Sequence, residues 1–188
     1  MISEYCVDLQ VPIPHPLKDP SVLNQTDYKP DIWFADPTNI NQEYIDWLDT
    51  LGLVLTAPPL IFYTPPRREC GFHIDGDAIC NRAVMNWIVG GEGSQMHWYT
   101  LAPDAVITPM EVTQAGTPYT RYNEDQMVHL HSQAVKWPSI VQVGTPHKIT
   151  NYVDHPRWCL SCDIGKKDNP EAGLTMEEAK EIFKTWIV

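Results

Sequence analysis

The chain has 188 residues, of which 43% are hydrophobic and 20% charged, and its formal net charge is −11. This length and balance predict one folded domain with its own core and exclude a disordered chain. The acidic total repels phosphate backbones, which makes a nucleic-acid partner improbable, and no stretch approaches the roughly 20 apolar residues that a membrane span needs. Arg67, Arg68 and Arg82 form the one candidate basic patch, and scattered solvated charge is the preferred interpretation.

Residues 1–38 are rich in proline, which predicts an extended arm with room for one short helix. Residues 40–51 carry apolar side chains at helical spacing, and Gly52 follows as a stop signal, so we expect a helix there. Residues 1–52 are therefore interpreted as an N-terminal arm and helix of a single domain that spans residues 1–188.

Residues 53–165 contain short β-rich runs separated by turn signals, which predict a mainly β sandwich or barrel. Helices do not alternate with these runs, so a parallel nucleotide-binding sheet is improbable. The runs are LVLT, LIFYT, AVMNWIVG, QMHWYTL, AVITPMEV, MVHLHSQAV, SIVQV, KITNYV and RWCLSCDI.

A second helix is predicted within residues 174–187. Thr175 and Glu178 have the spacing of a capping box at its start, and the apolar residues that follow repeat at helical spacing. We expect this helix to pack on the outside of the sheet.

The five cysteines are an odd number, and the N-terminus lacks a basic start followed by a long apolar run. Both features predict free thiols in a reducing, cytoplasmic setting. Cys159 and Cys162 form a C-x-x-C, which is interpreted as buried thiols because residues three apart on a strand point to opposite faces.

The segment GFHIDGD places His73 and Asp75 two residues apart. On a strand both side chains project to the same face. An imidazole and a carboxylate supply two ligands to a divalent metal, and a third ligand completes a facial triad that leaves positions open for a co-substrate and oxygen. The third ligand is predicted to be His147 in VGTPHKITN.

Arg157 lies ten residues after His147 and opens a predicted strand. An arginine fork one strand from the metal can pair bidentately with a carboxylate. This pattern of His-x-Asp, a distant His and an Arg ten residues later resembles the 2-oxoglutarate and iron(II)-dependent dioxygenase superfamily. The resemblance covers residues 53–165.

The resemblance implies a double-stranded β-helix, a jelly-roll or cupin-like barrel with flanking helices. It implies a catalytic metal site at His73, Asp75 and His147, with Fe(II), 2-oxoglutarate and O2 as cofactors and Arg157 as the anchor of 2-oxoglutarate. The implied activity is hydroxylation of a small molecule or of an amino-acid or peptide side chain.

Further co-substrate contacts are expected at Tyr63 and, more weakly, at Asn86. Many superfamily members have Ser or Asn two residues after the arginine, where this chain has Cys159, so Ser161 is the candidate substitute.

Other assignments stay open. His129 and His131 share a notional strand face and are a rival metal pair, His97 is a candidate barrel-lining residue, and Asp77 is a fallback ligand. Alternative functions are a cupin-like metal enzyme without 2-oxoglutarate and a non-catalytic β-sandwich binding module.

Overall fold

A computed structural model describes residues 3–10, 13–24, 31–106, 108–135 and 138–188. Two α-helices lie in these ranges, α1 (Gln42–Thr50) and α2 (Met176–Phe183), together with short 3-10 turns. The strands of the described residues are β1 (Cys6–Asp8), β2 (Ile32–Phe34), β3 (Leu53–Leu55), β4 (Leu60–Thr64), β5 (Arg68–Glu69), β6 (His73–Asp75), β7 (Ala83–Gly90), β8 (Gln95–Leu101), β9 (Glu111–Val112), β10 (Pro118–Arg121), β11 (Met127–Gln133), β12 (Ser139–Gln142), β13 (His147–Asn151), β14 (Arg157–Cys162) and β15 (Ile164–Lys166).

Two antiparallel sheets form the body of the protein. One has the order β1-β12-β7-β14-β4-β2, and the other has the order β11-β8-β13-β6-β10-β9 with β5 added beside β13. From β6 onward the chain crosses repeatedly from one sheet to the other, so neighbours in a sheet are mostly distant in sequence. This is the mainly β, cupin-like jelly roll that the sequence predicts.

Most of the core lies in layers on either side of the six-stranded sheet, and a smaller buried cluster lies on the seven-stranded sheet. Between the two sheets, buried side chains such as Ile88, Trp98 and Cys159 pack together. On the outer face of the six-stranded sheet, the helices and the N-terminal arm cover a larger apolar cluster that includes Tyr44 and Phe183. Because strand residues alternate between faces, membership of these clusters identifies which side chains point into the barrel.

The two helices form where the sequence predicts them, with different ends. Asn41 caps α1 by accepting a hydrogen bond from the Glu43 N–H, and Thr175 and Glu178 form the predicted capping box of α2. The second helix ends at Phe183 rather than near residue 187. Beyond it the backbone carbonyl of Trp186 accepts a hydrogen bond from Gln10, so contact with the arm replaces the last predicted turn.

The arm and the predicted strand at residues 105–112 depart from simple expectation. The arm contributes β1 and β2, which pair at opposite edges of the six-stranded sheet. In the run AVITPMEV only Glu111–Val112 forms a strand, and residue 107 lies outside the described residues. None of the helices in the described ranges is long and apolar enough to span a bilayer.

Candidate metal centre

Three potential ligands meet on the inner face of the seven-stranded sheet. His147 on β13 is directly opposite His73 on β6 and opposite Trp98 on β8, whose indole lies between the sheets. One ligand atom from each of His73, Asp75 and His147 lies within 4.8 Å of the others. The structure therefore brings together the three residues that the sequence singles out.

Backbone carbonyls orient both imidazoles. The Nδ1 of His73 lies 2.7 Å from the Gly71 carbonyl oxygen, and the Nδ1 of His147 lies 2.9 Å from the Thr145 carbonyl oxygen. A carbonyl only accepts hydrogen bonds, so Nδ1 is the protonated nitrogen of each neutral ring. The Nε2 lone pairs are consequently free to bind a metal, an arrangement common in metal-ligating histidines.

Burial shapes the protonation of this group. The pKa of His147 lies well below its usual value because burial penalises the imidazolium, and the nearby His73 adds to this effect while the Thr145 carbonyl opposes it. Burial also raises the pKa of Asp75, although His73 and Arg82 favour its charged form. A neutral His147 is the state that binds a metal.

The pH dependence of stability provides a test of His147 burial in the metal-free protein. Below the unfolded-state pKa of 6.5, the unfolded chain takes up a proton that buried His147 refuses, so acid favours unfolding. We expect His147 to destabilise the native state by about 1 kcal/mol as the pH falls from 6.5 to 5.5, the order of magnitude for one proton over one pH unit. Urea unfolding of the wild type and His147→Gln at pH 7.5 and 5.5 measures this contribution.

The comparison of these two proteins isolates His147 from the opposite effect of Asp75. The raised pKa of Asp75 lets the native state bind a proton more readily than the unfolded chain. The stability that this carboxyl group gives the native state therefore falls as the pH rises above 3.8. An identical loss of stability in both proteins on acidification would contradict the assignment.

Arg157 points into the same interior from the opposite sheet. On β14 it lies two residues before Cys159, and the Cys159 side chain belongs to the cluster between the sheets. Arg157 is only 1% exposed. Its Nη1 has no hydrogen-bond partner among the described residues. The arginines that form ion pairs in the described ranges are Arg67, Arg82 and Arg121.

Cys159 connects the arginine to the triad. Burial raises the pKa of the Cys159 thiol to about 11, while the charge and hydrogen bond of Arg157 oppose this increase and the charge of Asp75 adds to it. The thiol therefore lies within electrostatic range of both groups. Arg157 and the candidate metal site therefore face the same interior, and an uncharged thiol lies close to both.

Two features fix the backbone before Arg157 and leave room for its side chain. Asn151 at the end of β13 donates from Nδ2 to the carbonyls of Thr64, Pro65 and His155, which ties the turn before Arg157 to β4. Gly91 has no side chain, and a Cβ there would lie 2.5 Å from the Cβ of Arg157. The sequence motifs do not point to Asn151. Its position just before the turn that precedes Arg157 is the one feature that could have indicated its role.

The structure separates Tyr63 from the proposed co-substrate contacts. Tyr63 packs on Trp158 with ring centroids 4.5 Å apart, within the cluster on the outer face of the six-stranded sheet. Its neighbour Phe62 packs against the inner cluster instead. The alternation of strand faces thus points Tyr63 away from the triad, and the expected contact with 2-oxoglutarate is not supported.

Asn86 and Ser161 do lie on the inner face. They are directly opposite each other on β7 and β14, and the buried Oδ1 of Asn86 has no partner among the described residues. Ser161 is four residues from Arg157, about 13 Å along an extended strand. Ser161 therefore faces the same interior as Arg157 but lies farther from it than Cys159 does, and its contact with the co-substrate stays a prediction.

The rival histidine pair is separated by a β-bulge between His129 and His131. His131 stacks on Trp98 at the inner side, whereas the Nε2 of His129 lies 2.7 Å from the Oγ of Ser132 on the other face. The notional shared face is therefore wrong, because the bulge inserts an extra residue. His97 also contacts Ser132 and Thr150, so it does not line the barrel.

The positions of Asp77 and of the two C-x-x-C cysteines decide the remaining alternatives. Asp77 is exposed after Gly76, and the group of possible metal ligands found in the described residues does not include it. Cys159 and Cys162 are both free and buried and belong to different core clusters. This confirms that they face opposite sides of β14.

No family model matches this chain, and no curated protein matches it. Seven chains of solved structures do. One is oxalate decarboxylase, with 14% identity and a TM-score of 0.33, and the match covers 73% of this chain and 26% of that one. Another is Peruvianin-I, a cysteine peptidase from Thevetia peruviana latex, with 13% identity, a TM-score of 0.36, and coverage of 93% of this chain and 95% of that one.

The fold assignment rests on the strand order described above. Fold and site together define a cupin-like jelly-roll protein with a candidate metal centre formed by two histidines and one aspartate. A donor set of this kind, with positions left open, suits a divalent first-row metal.

Proposed function

We propose that this chain is a 2-oxoglutarate- and iron(II)-dependent oxygenase that hydroxylates a small molecule or an amino-acid or peptide side chain. The observation that carries the proposal is buried Arg157, whose Nη1 lacks a partner in the described ranges. An arginine cation out of contact with water is costly unless it is paired. A ligand with a distal carboxylate would satisfy it.

The residues present fit both cofactors. The Nε2 atoms of His73 and His147 and the carboxylate of Asp75 would hold Fe(II), leaving positions for a chelating 2-oxo acid. Arg157 would bind the second carboxylate of that acid. When bound, iron and 2-oxoglutarate supply the oxidising chemistry, in which O2 is consumed while 2-oxoglutarate is converted to succinate and carbon dioxide.

The chain's own contributions follow from the positions of its side chains. The carbonyls of Gly71 and Thr145 keep both imidazoles in the metal-binding tautomer. Buried Trp98 and Cys159 contribute apolar surface to the space between the sheets, and an apolar interior strengthens electrostatic contacts. Asn86 and Ser161 supply polar atoms to the same interior, where we assign them to the metal-binding end of the co-substrate or to ordered water.

The cellular setting in this proposal is the cytoplasm. All five cysteines are free, which suits a reducing compartment and a ferrous metal.

The proposal is tested by anaerobic titration of the protein with Fe(II) and then 2-oxoglutarate. We expect a weak visible charge-transfer band that saturates with 2-oxoglutarate. Pyruvate is the matched control ligand, because it keeps the 2-oxo acid and lacks the carboxylate that Arg157 would bind. It should therefore require a much higher concentration to produce such a band.

Other outcomes would contradict the proposal. A metal-bound protein that gives no band with either acid would favour a cupin-like enzyme with a different substrate. A protein that does not bind Fe(II) would favour a non-catalytic module. Equal affinities for pyruvate and 2-oxoglutarate would show that Arg157 does not bind the second carboxylate of 2-oxoglutarate.

A further inference from the structure

A group of polar side chains continues the triad-bearing face of the seven-stranded sheet. On β10, Arg121 is directly opposite His73 and Tyr119 is directly opposite Asp75. On β9, Glu111 is directly opposite Tyr119. Residues directly opposite each other share a face and have Cβ atoms about 4.5–5.5 Å apart. The three side chains therefore extend away from the candidate metal centre on its own side of the sheet.

The contacts within this group leave its arginine available. The Tyr119 hydroxyl donates to Glu111 Oε2 at 2.5 Å, whereas Arg121 Nε is 3.7 Å from the same oxygen, beyond hydrogen-bonding range. The Arg121 guanidinium lies 5.2 Å from the centre of the Tyr119 ring, and its side chain is 65% exposed. Arg121 also hydrogen-bonds the Tyr119 side chain, and its remaining N–H groups can donate to an anionic partner.

On the side of the triad away from Arg121, the inner face of the sheet presents an apolar residue. Val128 on β11 is directly opposite Thr100 on β8, and Thr100 shares its face with Trp98, two residues away. Val128 is 49% exposed, so the inner face there presents an apolar side chain. A ligand lying across the triad would meet an apolar surface at one end and an arginine at the other.

We propose that Arg121 anchors the carboxylate of an aliphatic small-molecule substrate. This inference rests on the proposed oxygenase function and specifies its substrate class. A monocarboxylate suits the group better than a dianion such as a phosphate monoester, because Glu111 beside Arg121 repels a doubly charged ligand more strongly. An amino acid can in addition place its ammonium group on Glu111, whereas a simple acid cannot.

The test is calorimetric titration of the protein loaded with Mn(II) and saturated with 2-oxoglutarate. The probes are the aliphatic α-amino acids, the aliphatic monocarboxylates of four to eight carbons, and the methyl ester of each. We expect at least one acid to bind at least tenfold more tightly than its ester. Arg121→Gln should weaken that binding at least tenfold, and Arg67→Gln, which removes another exposed arginine, should change it less than twofold.

A second variant separates the two sources of the carboxylate. Glu111→Gln should weaken the binding of an amino acid and leave that of a simple acid unchanged or tighter. The inference is overturned if no acid binds, if the esters bind as tightly as the acids, or if Arg121→Gln binds as the wild type does. Titration of 2-oxoglutarate itself reports separately on the proposed function, because Arg121 is not part of the Arg157 site.

Discussion

Replacing Asp75 by alanine is expected to lower the affinity for Fe(II) at least about a hundredfold, above the 10–100-fold that loss of a residue supporting a ligand costs. The carboxylate is the one anionic member of the triad, so its removal leaves two neutral imidazoles to hold a dication. Succinate formation from 2-oxoglutarate should disappear with the metal. Anaerobic titration with Fe(II) measures the first effect, and product analysis measures the second.

His97→Ala is the matched control for the loss of a polar side chain on the same sheet. His97 contacts Ser132 and Thr150 on the face turned away from the triad, so its removal should leave metal affinity within about twofold of the wild type. His147→Ala should behave as Asp75→Ala does. Fe(II) binding of ordinary strength in both triad variants would rule out the proposed centre.

Replacing Arg157 by methionine is expected to weaken 2-oxoglutarate binding about 30-fold or more while leaving Fe(II) affinity unchanged. Truncating one partner of a buried charged pair typically costs about 2–5 kcal/mol, and 2 kcal/mol corresponds to roughly 30-fold. The affinity for pyruvate should change little, because pyruvate has no carboxylate for Arg157 to bind. Titration of the metal-loaded protein with the two acids measures this difference.

The same variant makes a second, independent prediction for the ligand-free protein. Arg157 is buried and carries an unpartnered Nη1 among the described residues, so an apolar side chain of similar length should leave thermal stability unchanged or raise it. Clear destabilisation of the ligand-free protein, combined with normal 2-oxoglutarate binding, would show that the arginine is structural. This comparison separates a ligand anchor from a packing residue.

Several features could be predicted from the chain because they depend on local chemistry. The capping box of α2 needs only Thr175 and Glu178 at the correct spacing. The shared face of His73 and Asp75 follows from the alternation of a strand. The ten-residue separation of His147 and Arg157 suits two consecutive strands joined by a turn, which β13 and β14 are.

Other predictions failed because they required knowledge of the faces of particular strands. Tyr63 is polar and close in sequence to the triad, yet the pairing of β4 with β14 turns it onto Trp158. His129 and His131 have strand spacing, yet a bulge places them on different faces. A bulge depends on how two strands fit together, so sequence spacing alone does not indicate it.

The sequence by itself determined the mainly β class, the capped start of α2 and the candidate ligands His73, Asp75 and His147, because periodicity, capping and donor chemistry are properties of short segments. Only the tertiary structure decided that these ligands converge and that Arg157 points inward. Only it placed Arg121 beside the triad. Those facts depend on the register between strands far apart in sequence, and register is set by which faces the two sheets bury against each other.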